Sequence, residues 1–280
     1  MSRLAVLVSS ATLVAACGPN TRNGTDPDAR GSVDTTTSDT GATPDASRVY
    51  AHSGTTLYRV DTTTYAATPV GPMTALGTES LTDLAIDKND KMVGITLDKL
   101  YAVDETTAAV TLIKDLSASA TGFTSLSYVP TDLNDSNSPD ILVSANDQGD
   151  VYKIDPTTGT ATKLGSYGTV ASGKVVSSGD LIGVRGLGIY ATVDIGTAGA
   201  TTNDYLAKID PVTWKATPLG TGTGFNQLFG LGFWGGKIFG FTKAGDIVQL
   251  DPNTGAGTKL NGGSVPWFGA GVSTSAPILQ

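Results

Sequence analysis

One loop of the sequence carries oxygen-bearing side chains at alternating positions, a spacing that can wrap a hard cation. Positions one, three, five and nine of this loop are Asp132, Asn134, Ser136 and Asp140. Carboxylate, amide and hydroxyl oxygens are ligands that Ca²⁺ accepts, and a backbone carbonyl near Ser138 would add another. The alternative is a polar surface turn in which the Asp and Asn side chains cap their own backbone.

The loop resembles the calcium loop of FG-GAP and VCBS propeller repeats, which reads DxNxDGxxD before an apolar strand. This chain departs from that pattern at Ser136, where the family has Asp, and at Asn137, where it has Gly. The resemblance implies a structural Ca²⁺ ion, and no other cofactor is expected. Because two carboxylates replace three, we expect a weak affinity of about 10⁻⁴–10⁻³ M, in the range of extracellular modules.

Acid–base catalysis has few candidate residues in this chain. A glycoside hydrolase needs a pair of carboxyl groups, yet only Glu79 and Glu105 of the 26 acidic residues are Glu. Glu79 precedes a predicted strand and Glu105 lies in a predicted turn. The single His52 is the only histidine available to a serine triad, and no GxSxG elbow occurs. We therefore assign no catalytic residue, and a carbohydrate-active hydrolase stays the alternative to a binding protein.

The single cysteine, Cys17, follows a segment with the features of a secretion signal. Arg3 precedes an apolar run at 4–16, which is too short for a bilayer that needs about 20 residues. The run ends in LVAACG, which resembles the lipobox of bacterial lipoproteins, with Val14 in place of the commoner Leu. The resemblance implies that residues 1–16 are removed and that Cys17 is diacylated. The alternative is an ordinary signal peptide that is cut nearby.

A lipidated Cys17 would make the bilayer a partner of this protein and place it in the cell envelope. Because Gly18 follows the cysteine where Asp would retain the protein, the resemblance favours the outer over the inner membrane. Residues 17–47 contain no aromatic residue and no apolar period, so we expect a disordered tether behind the lipid. The net charge of −8 argues against a nucleic-acid partner.

The elements that position these residues follow from a repeat. Five segments share the pattern of VYKIDPTTGTATKLG, and their anchoring acids are Asp61, Asp104, Asp155, Asp210 and Asp251. A spacing of 41 to 55 residues between these acids is typical of propeller blades with four strands each. Asp and Pro start a turn and Gly supplies its left-handed residue, so each segment predicts a hairpin. We therefore interpret the five acids as turn residues, and not as a catalytic ring.

The repeats predict an all-β chain that forms a five-bladed β-propeller over residues 48–275, with a tail at 276–280. The N-terminal blade has three strands of its own, and the C-terminal segment 267–272 is a single extra strand. We therefore expect this strand to pair beside 49–53 and close the ring. The repeats resemble those of bacterial propeller proteins with the pattern YxIDPxTGxxTxxG, which implies the fold and leaves the function open.

Aligning the predicted innermost strands brings one position of each blade to the axis. These positions are Asp83, Ser125, Asp180, Gly230 and Gly269. The set predicts either a narrow polar channel or a close convergence of strands in which the two Asp bind water. Trp214 stands where other repeats have Gly159 or Tyr65, in a turn that we expect to be exposed. It is either an incidental surface aromatic or a contact for a sugar or a partner. The sequence does not identify a ligand-binding residue; it favours a non-enzymatic module that binds a protein or a glycan.

Overall fold

The computed structural model describes residues 48–198 and 203–274, and these residues form five small antiparallel sheets arranged as a five-bladed β-propeller. Residues 1–47, with Cys17, and the tail lie outside the described residues. The N-terminal blade contains β1 (Val49–His52), β2 (Thr56–Val60) and β3 (Ala67–Pro72), and a short 3₁₀ helix follows at Thr74–Leu76. The second blade contains β4 (Asp83–Ile86), β5 (Met92–Ile95), β6 (Lys99–Val103) and β7 (Val110–Asp115).

The remaining three blades follow in chain order. The third contains β8 (Ser127–Pro130), β9 (Asp140–Ala145), β10 (Asp150–Ile154) and β11 (Ala161–Ser166). The fourth contains β12 (Thr169–Val170), β13 (Gly173–Val184), β14 (Gly188–Ile195), β15 (Tyr205–Ile209) and β16 (Ala216–Pro218). The fifth contains β17 (Leu228–Trp234), β18 (Lys237–Thr242), β19 (Asp246–Leu250) and β20 (Gly257–Gly262), and β21 (Gly269–Val272) is the last strand of the described residues.

The C-terminal strand closes the ring as the sequence predicts. β21 pairs antiparallel with β1, with Val272 opposite Val49 and Gly269 opposite His52. The N-terminal blade therefore has the order β21-β1-β2-β3 and contains both ends of the described chain. Without β21, one side of β1 would be an open edge that invites pairing with another chain.

The five repeated Asp residues build the same turn in every blade. In the first, Asp61 Oδ1 accepts hydrogen bonds from the amides of Thr63 and Thr64 at 2.9 and 2.7 Å. Corresponding bonds occur at Asp104, Asp155, Asp210 and Asp251. These amide bonds stabilise the ionised carboxyl group and hold the pKa of each of the five Asp below its usual value. The acids are thus turn residues, as expected.

The hydrophobic core lies between the blades. Five clusters of buried side chains each join two neighbouring sheets; one, for example, contains both Leu57 of β2 and Leu84 of β4. Trp214 belongs to such a cluster and is only 6 % exposed, so the expectation of an exposed turn residue is wrong. Its backbone is left-handed with φ of 61°, which places the indole against Gly165 of the preceding blade. Burial of the ring offsets the backbone strain.

Candidate functional site

The site is built on the innermost strands β4, β8, β13, β17 and β21. Each has a free side where it meets the axis; β12 pairs only with the first residues of β13, Gly173 and Lys174. A strand at the edge of a sheet presents backbone N–H and C=O groups on its free side. In this ring those free sides face the propeller axis. The chemistry at the axis is therefore carried by backbone groups together with the few side chains that reach them.

Asp83 and Asp180 meet at the axis and hydrogen-bond to each other. We call them the axial acid pair, and both are completely buried. Their oxygens accept four backbone amides from four different blades. These donors are the amides of Leu84 at 2.8 Å, Leu126 at 2.6 Å, Leu181 at 2.5 Å and Leu231 at 2.6 Å. The pair therefore links the second, third, fourth and fifth blades.

Burial determines the protonation of the axial acid pair. Loss of solvent raises the pKa of Asp180 to about 8, although the amides of Leu231 and Leu181 act in the opposite direction. Burial and the neighbouring Asp180 raise the pKa of Asp83 well above its usual value. Two carboxyl groups in contact cannot both ionise at low cost. At neutral pH the pair therefore retains at least one proton.

Aligning the predicted innermost strands of the five blades placed both acids at the same height along the axis but did not predict that they touch. Ser125, at the same level, turns into its own blade, where its Oγ accepts the amide of Ala145 at 2.7 Å. A Cβ on Gly269 would collide with Asp83 Oδ1 and with the imidazole of His52. The glycines thus make room for the carboxyl groups, and the axis is filled at this level instead of forming an open channel.

His52 is buried beside the axial acid pair. Its Nδ1 accepts the amide of Gly54 at 3.0 Å, and its Nε2 has no hydrogen-bond partner among the described residues. Burial lowers the pKa of His52 to about 3, so the imidazole is neutral at physiological pH. Tyr167 is buried on the fourth-blade side, and burial together with the Asp180 charge raises its pKa. The sequence pattern predicts an axial position for neither residue.

A cavity of about 390 Å³, which we call the axial pocket, lies above the axial acid pair and receives lining residues from all five blades. Its walls follow the inner strands over 84–86, 126–128, 180–185 and 270–274, together with Leu231 and Phe233. Asp180 is the only acid among the described residues that line it. Lys88, Ser136, Arg185 and Thr274 lie on the segments that leave the inner strands and so mark the mouth of the pocket.

Arg185 braces this mouth across three blades. Its guanidinium binds Asp140 at 2.5 Å and the carbonyl of Ser138 at 2.8 Å, and it reaches the carbonyl of Thr274 at 3.4 Å. The Thr274 hydroxyl donates to the other Asp140 oxygen at 2.6 Å. Charge-assisted bonds of this kind, with side chains only 13 and 6 % exposed, fix the shape of the opening.

The structure places one of the four predicted calcium ligands, Ser136, on the axial pocket and a second, Asp140, beside its mouth through a bond to Arg185. Ser136 lines its mouth, and both oxygens of Asp140 are engaged by Arg185 and Thr274. Asp132 Oδ1 caps the amide of Asn134 at 2.9 Å, the contact expected of a polar turn. Within the described residues no group of three His, Cys, Asp or Glu is arranged to hold a metal ion. Calcium binding by this loop stays a prediction, and it requires Asp140 to exchange partners.

Neither Glu residue contributes to the axial pocket. Glu79 binds Lys99 and accepts the Tyr101 hydroxyl at 3.3 Å, and Glu105 pairs with Arg48 at 2.9 Å. None of these residues lines the axial pocket.

No helix in the described ranges is both long and apolar enough to cross a bilayer.

The comparisons with known proteins concern the fold. No family model matches the chain, and no curated protein matches it. Among solved structures, the chain is similar to one titled "Crystal structure of Nidogen/Laminin Complex", at 9 % identity and a TM-score of 0.51, covering 84 % of this chain and 100 % of that one. A second, titled "The de novo evolutionary emergence of a symmetrical protein is shaped by folding constraints", has 15 % identity, a TM-score of 0.48 and the same coverages. Likeness at such identity identifies a propeller and no function.

Proposed function

We propose that this chain is a lipid-anchored, non-enzymatic binding protein of the bacterial cell envelope, whose propeller binds a protein or a glycan at the axial pocket. The observation that carries the proposal is this pocket, because it receives wall residues from every blade and is closed below by the axial acid pair. Concave sites with apolar walls and a few polar groups are the usual places for ligands.

The arrangement of carboxyl groups favours binding over hydrolysis. A glycosidase needs two carboxyl groups about 5–10 Å apart with the substrate between them. Here Asp83 and Asp180 touch each other and hold four backbone amides, and only Asp180 lines the axial pocket. Hydrolysis of envelope polysaccharides by the purified protein, lost in Asp180→Asn, would favour the alternative of a carbohydrate-active hydrolase.

The binding function is tested at Lys88, which is exposed at the mouth and forms no ion pair with any described residue. Lys88→Glu reverses the charge there, and Lys215→Glu makes the same change at an exposed position away from the axial pocket. Affinity capture from native envelopes should retain a partner with the unmodified protein and with Lys215→Glu, and lose it with Lys88→Glu. Equal retention by Lys88→Glu would contradict the assignment of the pocket.

A further inference from the structure

We propose that the axial pocket takes the C-terminal end of a peptide chain, with the terminal carboxylate held by backbone amides of the inner strands. The inference rests on the proposed binding function and specifies its ligand. It depends on which backbone amides of the inner strands face the axis, on the fact that four of them already donate to the axial acid pair, and on the charge at the mouth of the pocket.

The register of the blades shows which amides face the axis. The amide of Asp87 donates to the carbonyl of Lys91 at 2.9 Å, so this pair is bonded at the end of the β4–β5 hairpin. Bonded and non-bonded positions alternate along an antiparallel pair. The backbone groups of Leu84 and Ile86 therefore point away from β5, towards the axis, in agreement with the bond from Leu84 to Asp83.

The same alternation holds in the third blade. The amide of Thr131 donates to the carbonyl of Pro139 at 2.9 Å, so Tyr128 and Leu126 direct their backbone groups to the axis. In the fifth blade the amide of Leu231 reaches Asp180 across the axis, and Phe233 has the same orientation two residues on. Two rings of backbone groups thus follow one another along the axis.

The lower ring already binds carboxyl groups. The amides of Leu84, Leu126, Leu181 and Leu231 all donate to the axial acid pair. The upper ring lies two residues further along each inner strand and lines the axial pocket. Its members are Ile86, Tyr128, Gly183, Phe233 and Val272. A carboxylate that enters along the axis meets at this level the same kind of donors that hold the internal acids below.

The charges at the axial pocket favour an anion over a cation. Lys88 and Arg185 are the cationic side chains among its described lining residues, and Asp180 is the only acidic one. Since Asp140 neutralises Arg185 in an ion pair, Lys88 is the lining cation that forms no ion pair with a described residue. Since burial raises the pKa of Asp180, this acid opposes an entering carboxylate less than an exposed Asp would. Backbone amides and a cation at the mouth are a common combination for capturing a C-terminal carboxylate.

A peptide fits this site better than a small acid does, because the free edges also carry carbonyl groups. An extended chain lying along an inner strand can donate its own amides to those carbonyls, as an added strand does at a sheet edge. Apolar residues such as Leu84, Leu231 and Phe233 line the wall beside it. A volume of about 390 Å³ is at the lower end of ligand sites, so only the last residues of a longer chain would enter.

Fluorescence polarisation with the full-length protein in detergent tests this inference. The probes are fluorescein-labelled tetrapeptides with apolar final residues, each made with a free C-terminal carboxylate and with a C-terminal amide. We expect amidation to weaken binding by about tenfold or more, as loss of a charge-assisted contact predicts. Lys88→Glu should weaken binding of the free acids in the same direction, and Lys215→Glu should leave it unchanged.

The contrary outcomes separate this inference from the function on which it rests. Equal binding of acid and amide probes, or full competition by millimolar acetate, would overturn the assignment of a peptide C-terminus as the ligand. Binding of an envelope glycan that Lys88→Glu abolishes would overturn it too, while leaving the axial pocket as a binding site. If neither peptides nor glycans bind in a way that depends on Lys88, both the inference and the proposed function are wrong.

Discussion

Replacing Asp83 with Ala tests whether the axial acid pair holds the propeller together. The substitution removes the acceptor of two buried amides, Leu84 at 2.8 Å and Leu126 at 2.6 Å. A buried amide without an acceptor costs about 1–3 kcal/mol, so the free energy of unfolding should fall by about 2–6 kcal/mol. This is a large part of the ~5–15 kcal/mol that stabilises a domain.

Urea denaturation at pH 6 measures the loss, with Asp155→Ala as the matched control. Asp155 also accepts two amides, both at 2.8 Å, but it is exposed, so water can replace the carboxylate and the loss of stability should be much smaller than at Asp83. Asp83→Asn keeps one acceptor oxygen, so its loss in free energy of unfolding should lie between those of Asp83→Ala and Asp155→Ala. If Asp83→Ala does not fold, Asp83→Asn is compared with Asp155→Ala instead. A loss in Asp83→Ala no greater than that in Asp155→Ala would refute the argument.

Four further outcomes are expected. The pKa of Asp180 is raised to about 8 in the folded protein, so its stabilising contribution is complete below about pH 4 and is lost as the pH rises towards 8. The urea midpoint of the unmodified protein should therefore fall from pH 5 to 8, and Asp180→Asn should make that fall smaller. The pKa of His52 is lowered to about 3 in the folded protein, so the free energy of unfolding should fall as the pH drops below about 6.5. Acid titration monitored by circular dichroism should show this fall, and His52→Gln should reduce it. If the 132–140 loop binds calcium, 1 mM Ca²⁺ should add about 0.4–1.4 kcal/mol in thermal melts, and Asp132→Ala should abolish the gain; identical melts with Ca²⁺ and with chelator would leave an ordinary turn. Cys17→Ser should abolish incorporation of a labelled fatty acid and release the protein from membranes; unchanged labelling would contradict the lipid anchor.

The sequence predicts the parts of the fold that local chemistry determines. Each turn needs an Asp whose carboxylate reaches amides two and three residues on, and that requirement repeats visibly along the chain. Ring closure follows from counting strands, since 267–272 has no other partner, and the structure confirms it at β21.

The axial pocket could be predicted only in part, because its contacts join residues far apart in sequence. Alignment placed Asp83 and Asp180 at one level, but their hydrogen bond depends on how closely the blades converge. Arg185 gave no signal, since its partners lie 45 to 89 residues away. For Trp214 the turn pattern suggested exposure, and the packing of the neighbouring blade overrode it.

Ring closure also determines how this protein responds to mechanical load. A pull applied to the chain at residue 48 in the direction of β1 loads a strand that is flanked by β21 on one side and β2 on the other. Both ladders are antiparallel, and their hydrogen bonds run perpendicular to the strands, so the force loads them in shear. Such a force must therefore break both hydrogen-bond ladders of β1 together before the strand leaves the blade. An outermost strand is paired on one side only, so it would be lost by breaking a single ladder.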